Sequence, residues 1–354
     1  MFLAIRDLWW ARGRFALMVT AVSLITALVV MLSGLTEGLS RQSISAVTSL
    51  PSAQIAFERP GDGQSLSFNS SRVTPQQVQT ARAQSGVTSA DPLGIATTRA
   101  TVGGSATQVT IFGVDPGSAA APRELLAGNT VVCRDFAEEH GLRVGDQVTV
   151  GDATLRVAAL ADNASFSHLP VLWVPRTVWA ATGGASGAGS VLLVDTASGF
   201  DRAAFDAATG LSAQTPKESL SAIGSYSAEN GSLTMIRVLL IAISALVIGA
   251  FFTVWTVQRE TDLAVLKAIG AKTSYLVGDA LGQALLTLLI GGLIGATVAV
   301  AAGLAVAGTV PVVIEVATVL NPLILLLVVG LIGAAAALRR VITVDPMNAL
   351  AGAR

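Results

Sequence analysis

The residues best placed to do chemistry lie at the end of the first long apolar stretch. Met31, Glu37 and Arg41 share one arc of about 120° with Gly34 and Gly38 on a helix that turns about 100° per residue. Carboxylate oxygen and thioether sulfur are ligands for iron, and a guanidinium pairs with carboxylates. The stripe could therefore hold a planar apolar ligand with an iron centre and carboxylate tails. A simpler interpretation stays open, in which Glu37 marks the water interface and Met31 only packs.

A second candidate is His168, which stands near Phe166 and Trp173. A histidine between two aromatic rings could contact a flat ligand. We favour the alternative that His168 is a histidine of a folded core.

Composition limits the classes of function that these residues can serve. The chain has 354 residues, of which 52% are hydrophobic and only 13% are charged, and its net charge is -1. Soluble domains carry about 25% charged residues, so a soluble enzyme is not expected. The charge balance gives no case for a nucleic-acid partner. One cysteine, Cys133, cannot form an internal disulfide or a cysteine metal cluster. We expect neither a catalytic centre nor a permanently bound cofactor or metal.

Four apolar runs are long enough to cross a bilayer of about 30 Å. They are Phe15–Leu35, Met235–Val257, Tyr275–Val306 and Leu323–Leu338. Basic residues cluster on the side that holds both termini and the second loop, and this bias predicts that side to be cytoplasmic. They are Arg6, Arg12, Arg14, Arg259, Lys267, Lys272, Arg339, Arg340 and Arg354.

These signals predict an α-helical membrane protein with four transmembrane helices and one α+β extracytoplasmic domain between the first and second helices. We expect a multi-pass protein of a bacterial inner or plasma membrane, with both termini cytoplasmic. The predicted division is 1–36 for the N-terminus and first span, 37–232 for the domain, 233–257 for the second span, 258–274 for a cytoplasmic helix, 275–338 for the third and fourth spans, and 339–354 for the tail.

Local signals describe parts of the intervening domain. Thr74–Pro75 predicts an N-cap and the start of a helix, and Gln108–Asp115 predicts a strand. Asp135–Gly141 predicts a short helix that stops at glycine, and Gly151–Asp152 predicts a hairpin turn. The glycine-rich stretch Thr182–Ser190 predicts a flexible surface loop.

The segment between the second and third spans is the other candidate functional element. Leu263, Leu266 and Ile269 fall on one side of a short helix. It is either an ordinary connector on the membrane surface or a helix that docks into a groove of a cytoplasmic protein. "GAKTS" at Gly270–Ser274 lacks the glycine spacing and the preceding strand of a phosphate-binding loop, so any ATP chemistry belongs to a partner.

Three motifs in this order resemble the MacB/FtsX-like ABC permease family. The first is the segment from Arg259, in which Asp262 replaces the usual glutamate. The second is Gly141–Asn163, and the third is the tail at 339–354, where Ala351 replaces the closing arginine. The resemblance covers essentially the whole chain. The matching residues of the first motif are Arg259, Leu266, Ala268, Ile269, Gly270 and Ala271.

The resemblance implies a homodimer that binds two copies of an ABC ATPase subunit, surrounded by membrane lipid. ATP is then hydrolysed on the partner, and the spans transmit the motion to the outside domain. The residues implied in coupling to the ATPase are Arg259, Asp262, Leu263, Leu266, Ile269 and Gly270.

In a two-fold dimer the first span would face its copy. Gly34 and Gly38 would be the dimer-packing residues, and Met31, Glu37 and Arg41 would be the substrate-binding residues. Size and architecture are most similar to haem-exporter permeases, so the implied substrate is haem, whose iron would be the only metal. The alternatives are export of a lipid, lipopeptide or drug, and a non-transporting regulator that passes ATPase motion to an outside enzyme.

Overall fold

The computed structural model describes residues 12–183, 187–258, 265 and 269–342. The chain divides into two compact units. We call Leu39–Gly231 the domain, and we call Met1–Gly38 together with Ser232–Arg354 the membrane unit. The domain bounds lie close to the predicted 37–232.

Helices occur in both units. In chain order they are α1 (Arg12–Thr48), α2 (Pro75–Arg82), α3 (Arg134–His140), α4 (Arg176–Gly183), α5 (Arg202–Thr209), α6 (Pro216–Ser219), α7 (Gly224–Gln258), α8 (Thr273–Val306) and α9 (Val316–Ile342).

The strands belong to the domain. They are β1 (Gln54–Glu58), β2 (Val87–Val102), β3 (Ser105–Val114), β4 (Asn129–Cys133), β5 (Gln147–Val150), β6 (Ala153–Ala161), β7 (Ser165–Phe166), β8 (Leu169–Pro175), β9 (Val191–Thr196) and β10 (Leu211–Gln214).

One long strand organises the sheet, whose order is β10-β1-β9-β2-β3-β8-β4-β6-β5. The first half of β2 pairs with β9, and its second half pairs with β3. The end of β2 also pairs with β5, Ala100 opposite Val150, and this pairing closes β2-β3-β8-β4-β6-β5 into a ring. Sharing β2 therefore joins an open sheet to a closed ring within one domain.

The helix α4 packs on the ring through Trp179, which is 1% exposed. Gly94 and Gly113 pair across β2 and β3, and a Cβ on either residue would overlap the side chain of Trp179. The two glycines thus leave space for the large Trp179 side chain to pack against the sheet.

Most local predictions for the domain are confirmed. Thr74 caps α2 with a capping box, and Gly141 ends α3 in the left-handed conformation. The hairpin at Gly151–Asp152 joins β5 to β6. The predicted flexible surface loop at 182–190 is wrong for its described end. Ala188 is buried there, and Gly189 bridges to Val73, because backbone hydrogen bonds tie this end to the sheet.

In the described residues, the helices α1, α7, α8 and α9 are long and apolar enough to cross a membrane. Both α1 and α7 extend beyond the predicted spans. The helix α1 runs on from Leu35 to Thr48, and α7 begins at Gly224, before Met235. Hydropathy marks where a helix meets lipid and does not mark where it ends, because the extensions bury residues such as Val47 in the domain.

The helix α9 also starts earlier than predicted, at Val316, with Pro322 inside it. The core of the membrane unit consists of apolar residues from the four long helices. It contains Met18, Val22, Ile248, Phe252, Ala284, Leu288, Ala334 and Ala337.

Candidate functional site

The predicted substrate stripe lies on one uninterrupted helix. Met31, Glu37 and Arg41 all belong to α1, so the helical spacing assumed for them holds. Met31 and Glu37 are half-buried, and Arg41 is exposed. The three residues carry a thioether, a carboxylate and a guanidinium group. These groups would suit an iron porphyrin with carboxylate tails.

The middle of the stripe is covered by the connection between α8 and α9. We call residues 307–315 the strap. The Val313 N–H donates to the Gly34 carbonyl oxygen at 3.0 Å. A Cβ on Gly34 would stand 2.9 Å from the Val313 oxygen, and a Cβ on Gly38 would overlap the Pro311 carbonyl. Both positions therefore require glycine because backbone of the same chain lies against them.

This contact changes the interpretation of the two glycines. We predicted that Gly34 and Gly38 pack against a second copy of the chain. The structure gives them a neighbour within the chain, and that neighbour accounts for both glycines. Packing against a second copy at this surface stays a prediction, and it would require the strap to move.

A polar junction that was not predicted from the sequence lies in the domain at the β7–β8 turn. Ser167 and His168 form this two-residue turn with φ of 50° and 64°. Positive φ at both central residues is what a tight I′ hairpin needs, but it is costly for residues other than glycine. Their N–H groups donate to the carbonyl oxygens of Ser43 and Gln42 on α1 at 3.1 and 3.0 Å.

The His168 side chain extends the junction to α7. Its Nε2 lies 2.9 Å from Ser43 Oγ and 2.9 Å from each carboxylate oxygen of Glu229. A carboxylate can only accept, so Nε2 carries a proton toward Glu229. Serine and carboxylate meet the same ring nitrogen, whereas a serine-hydrolase triad places them on opposite nitrogens. The cluster therefore joins three segments of the domain and does not have the geometry of a nucleophile.

Two further serine contacts strengthen the junction. The Ser165 N–H donates to Ser45 Oγ at 2.9 Å, and the Ser225 hydroxyl donates to Ser167 Oγ at 3.0 Å. The predicted core histidine is thus wrong, because the side chain of His168 is 29% exposed and pairs with Glu229. The pair Ser167 and His168 is not typical of an I′ turn, so the sequence did not predict the turn. The hydrogen-bond partners of these two residues are distant in sequence, so local sequence patterns could not locate them.

The two aromatic residues predicted beside His168 lie in the domain core. Phe166 and Trp173 are 1% and 8% exposed. Both rings contact Phe112 edge-on, with centroids 5.9 and 5.3 Å from its ring. They stabilise the sheet and do not present a face to a ligand.

The residues predicted to couple to an ATPase are described only in part. Arg259, Asp262, Leu263 and Leu266 lie outside the described residues. Ile269 is 77% exposed, and Gly270 has φ of 99° just before α8. An apolar side chain so exposed is available to a partner or to lipid.

The described residues contain no group of three or more His, Cys, Asp or Glu that could hold a metal ion. Cys133 is buried, and burial raises the pKa of its thiol.

Two protein-family models match most of the chain. Residues 15–210 match the model of the MacB-like periplasmic core domain, and residues 234–346 match that of the FtsX-like permease C-terminal region. The first match alone spans more than half of the chain. The chain belongs to the MacB/FtsX-like ABC transporter permease family. The resemblance of its sequence motifs to this family is confirmed, and so is the fold of four membrane helices with an α+β domain between the first two.

Relatives match the chain over nearly its full length. The hemin transport system permease protein HrtB of Staphylococcus haemolyticus (strain JCSC1435) is 25% identical over 99% of both chains. An ABC transporter permease of Mycobacterium tuberculosis (strain ATCC 25618 / H37Rv) is 26% identical, again over 99% of both. The crystal structure of the periplasmic region of MacB from Actinobacillus actinomycetemcomitans aligns with a TM-score of 0.36 and 10% identity, covering 48% of this chain and 92% of that one.

Proposed function

We propose that this ABC permease exports a hydrophobic or amphipathic molecule from the membrane, with haem as the first candidate. The single observation that supports haem most directly is the similarity to HrtB relatives along the whole chain. The stripe on α1 adds chemical support, because Met31 and Glu37 offer iron ligands and Arg41 offers a partner for a propionate.

The proposed assembly is a homodimer with two copies of an ABC ATPase subunit, which hydrolyses the ATP. The 258–274 segment would dock on the ATPase, and the domain would stand outside a bacterial inner or plasma membrane with both termini cytoplasmic. The bias of arginine and lysine supports this orientation. Exposure of Ile269 supports docking, because an apolar side chain on this loop can enter a groove of a partner.

The polar junction supports transmission of motion to the domain. Both α1 and α7 continue into the domain, where the β7–β8 turn bonds to Ser43 on one helix and Glu229 on the other. A shift of either helix would therefore act on the sheet. The same observation favours the second candidate function, a regulator that passes ATPase motion to an outside enzyme without transport.

A haem titration of the purified protein tests the proposed substrate. We expect a Soret band that saturates, and about tenfold weaker binding after Glu37→Ala or Met31→Ala. Leu24→Ala is the matched control, because Leu24 is on the same helix and 66% exposed. Equal binding by all variants would place the haem site elsewhere. No binding by the wild type would favour a lipid, a drug or the regulatory role.

Co-purification with the ATPase tests docking. Ile269→Asp places a charge on the exposed apolar position, and we expect most of the ATPase to be lost while the permease still inserts. Leu266→Asp should act in the same way. The control is Ser70→Asp, an exposed position in the domain. A full complex in both segment variants would make the segment a surface connector.

Thiol labelling tests the orientation. In a Cys133→Ser background, an impermeant maleimide should label Ser70→Cys in intact cells and should leave Lys272→Cys unlabelled until the cells are opened. Both positions are exposed. Labelling of Lys272→Cys from outside would reverse the topology.

A further inference from the structure

The apolar part of α7, residues 233–257, contains one charged residue, Arg237. It lies within the predicted span Met235–Val257, near the end of the helix that leads to the domain. A charged side chain at membrane depth is costly, and in membrane helices such residues face protein or a polar ligand and mark functional sites. The cytoplasmic bias of the other basic residues makes a cation at this end of the span exceptional.

Arg237 lies on the face of α7 that packs against protein. At about 100° per residue, the buried residues Ser244 and Ile248 lie within about 20° of Arg237 around the helix axis. The exposed apolar residues of this part of the helix all lie at about 100° or more from it. They are Met235, Ile236, Val238, Leu239, Ile243 and Leu246. Arg237 therefore belongs to the inner face of α7 and not to the surface that meets lipid.

The described residues give the guanidinium group of Arg237 no acceptor. The residue is half-buried, and its Nε is buried without a hydrogen-bond partner. Covering a donor of a cation without an acceptor removes its hydration and is costly. The two terminal nitrogens are not buried in this way. Since a guanidinium binds carboxylate and phosphate oxygens through parallel N–H groups, an anion could be bound at its open edge.

Arg237 lies at nearly the same depth as the candidate stripe on α1. Thr26 of α1 and Ile248 of α7 line one pocket of the membrane unit, so these two positions are level. Glu37 lies 11 residues beyond Thr26, and Arg237 lies 11 residues before Ile248. Each distance is about 16 Å toward the domain at about 1.5 Å per residue. A molecule that reaches the level of Glu37 therefore also reaches the level of Arg237.

We propose that Arg237 binds the anionic oxygen group, a carboxylate or a phosphate, of an amphipathic ligand in the membrane unit. A carboxylate would come from the exported molecule, and a phosphate would come from an anionic lipid. The first source rests on the proposed function and narrows its substrate class to anionic amphipaths. The second source is independent of it. Haem and phosphatidylglycerol are the probes of the two sources.

Paired ligands test the carboxylate. The purified protein is titrated with haem and with haem dimethyl ester, in which both carboxylates are esterified. Arg237→Gln should bind haem at least about tenfold more weakly than the wild type and should bind the ester equally well. Arg237→Lys keeps the charge and loses the planar fork, so its haem affinity should fall between the two. Arg123→Gln is the matched control, because it removes the same charge from an exposed position of the domain.

Added lipid tests the phosphate. In lipid-free detergent, phosphatidylglycerol should raise the Tm of the wild type by at least about 3 °C more than zwitterionic phosphatidylcholine does. That excess should disappear in Arg237→Gln and persist in Arg123→Gln.

Stability without ligand distinguishes a binding site from a structural contact. Arg237→Gln should leave the Tm of the ligand-free protein unchanged or higher, because the substitution removes a cation whose buried Nε has no partner. A lower Tm in Arg237→Gln, with Arg123→Gln unchanged, would show that Arg237 pairs within the protein or its dimer, and it would overturn the proposal.

The outcomes separate this site from the proposed function. If Arg237→Gln binds haem as the wild type does and responds equally to phosphatidylglycerol, the site is refuted while haem export stands. Equal weakening of haem and ester binding, with an unchanged lipid response, also refutes it, because the carboxylate then plays no part. If the wild type binds no haem but its response to phosphatidylglycerol depends on Arg237, the haem proposal fails and the site binds a lipid phosphate. If the wild type responds to neither probe, both proposals fail.

Discussion

The helix α1 is held by two contacts of opposite chemical character. In the membrane unit, the backbone of the strap packs against Gly34 and Gly38, and the Val313 N–H donates to the Gly34 carbonyl oxygen. In the domain, the β7–β8 turn meets Gln42 and Ser43 through backbone N–H groups and the His168 ring. A side chain added at Gly34 or Gly38 would crowd the strap, whereas removal of a polar partner at the junction would leave a hydrogen-bonding group unsatisfied. One segment of α1 therefore depends on the absence of side chains, and the other depends on polar partners.

The largest expected effect comes from adding a side chain at Gly38, where the strap leaves no space for one. In Gly38→Leu even the first carbon overlaps the Pro311 carbonyl, so the strap must leave. We expect a loss of about 1–3 kcal/mol in the free energy of unfolding and rapid proteolysis of the strap. Gly282→Leu, whose Cβ has open space, is the control. A Gly38→Leu protein with wild-type stability and a protected strap would show that the strap does not pack against Gly38.

The junction should respond to loss of polar partners. His168→Asn keeps a residue that tolerates positive φ while it removes the contact to Glu229, so it isolates the side chain. Combined with Glu229→Gln in a double-mutant cycle, we expect a coupling of about 0.5–1 kcal/mol, because both groups are partly exposed. Urea unfolding of the full chain measures it. A coupling of zero would mean that the junction depends on its backbone bonds alone.

The thiol of Cys133 marks a buried region of the domain that should stay closed to reagents. Burial raises its pKa and shields it, so an uncharged maleimide should not react with it at neutral pH until the protein unfolds. Ser70→Cys should react at once, because position 70 is exposed. Reaction of Cys133 during haem binding or turnover would show that motion spreads beyond the junction into β4.

The smallest effect concerns pH. Hydrogen bonds from the Thr215 N–H and from Arg202 lower the pKa of Glu218, which caps α6. Its folded pKa lies below the unfolded value, so its stabilisation is complete at neutral pH. That stabilisation is lost as the pH falls from about 4.3 through the folded pKa. The urea midpoint of Glu218→Gln should lack this part of the acid dependence. If the urea midpoints of the wild type and Glu218→Gln fell equally with pH, the Glu218 cap would not contribute to stability.

The sequence predicted those features that depend on neighbours along the chain. Apolar runs located the four membrane helices, and Thr74 and Gly141 located a helix start and a helix stop. The closed ring was not predicted, because the pairing of Ala100 with Val150 depends on contacts far apart in sequence. Likewise, Ser43 and His168 are 125 positions apart, and the type of one residue does not predict contact with the other.

The candidate site was predicted in its composition and not in its surroundings. The spacing of Met31, Glu37 and Arg41 on one helix followed from periodicity. The spacing of Gly34 and Gly38 showed that something approaches α1 closely, but a small-residue pair does not specify its neighbour. The structure supplies that neighbour as the strap, an extended segment that hydropathy alone does not distinguish from a short loop.

The pairing of β1 with β10 has a consequence for biosynthesis. Ile55 pairs with Gln214, so the first strand of the domain cannot complete its pairing until the last strand has been synthesised. Before residue 214 leaves the ribosome, the edge of β1 that pairs with β10 is unpaired. Neighbouring chains could then pair with that edge. The nascent domain thus completes its sheet only after nearly all of it has been made, immediately before α7 follows.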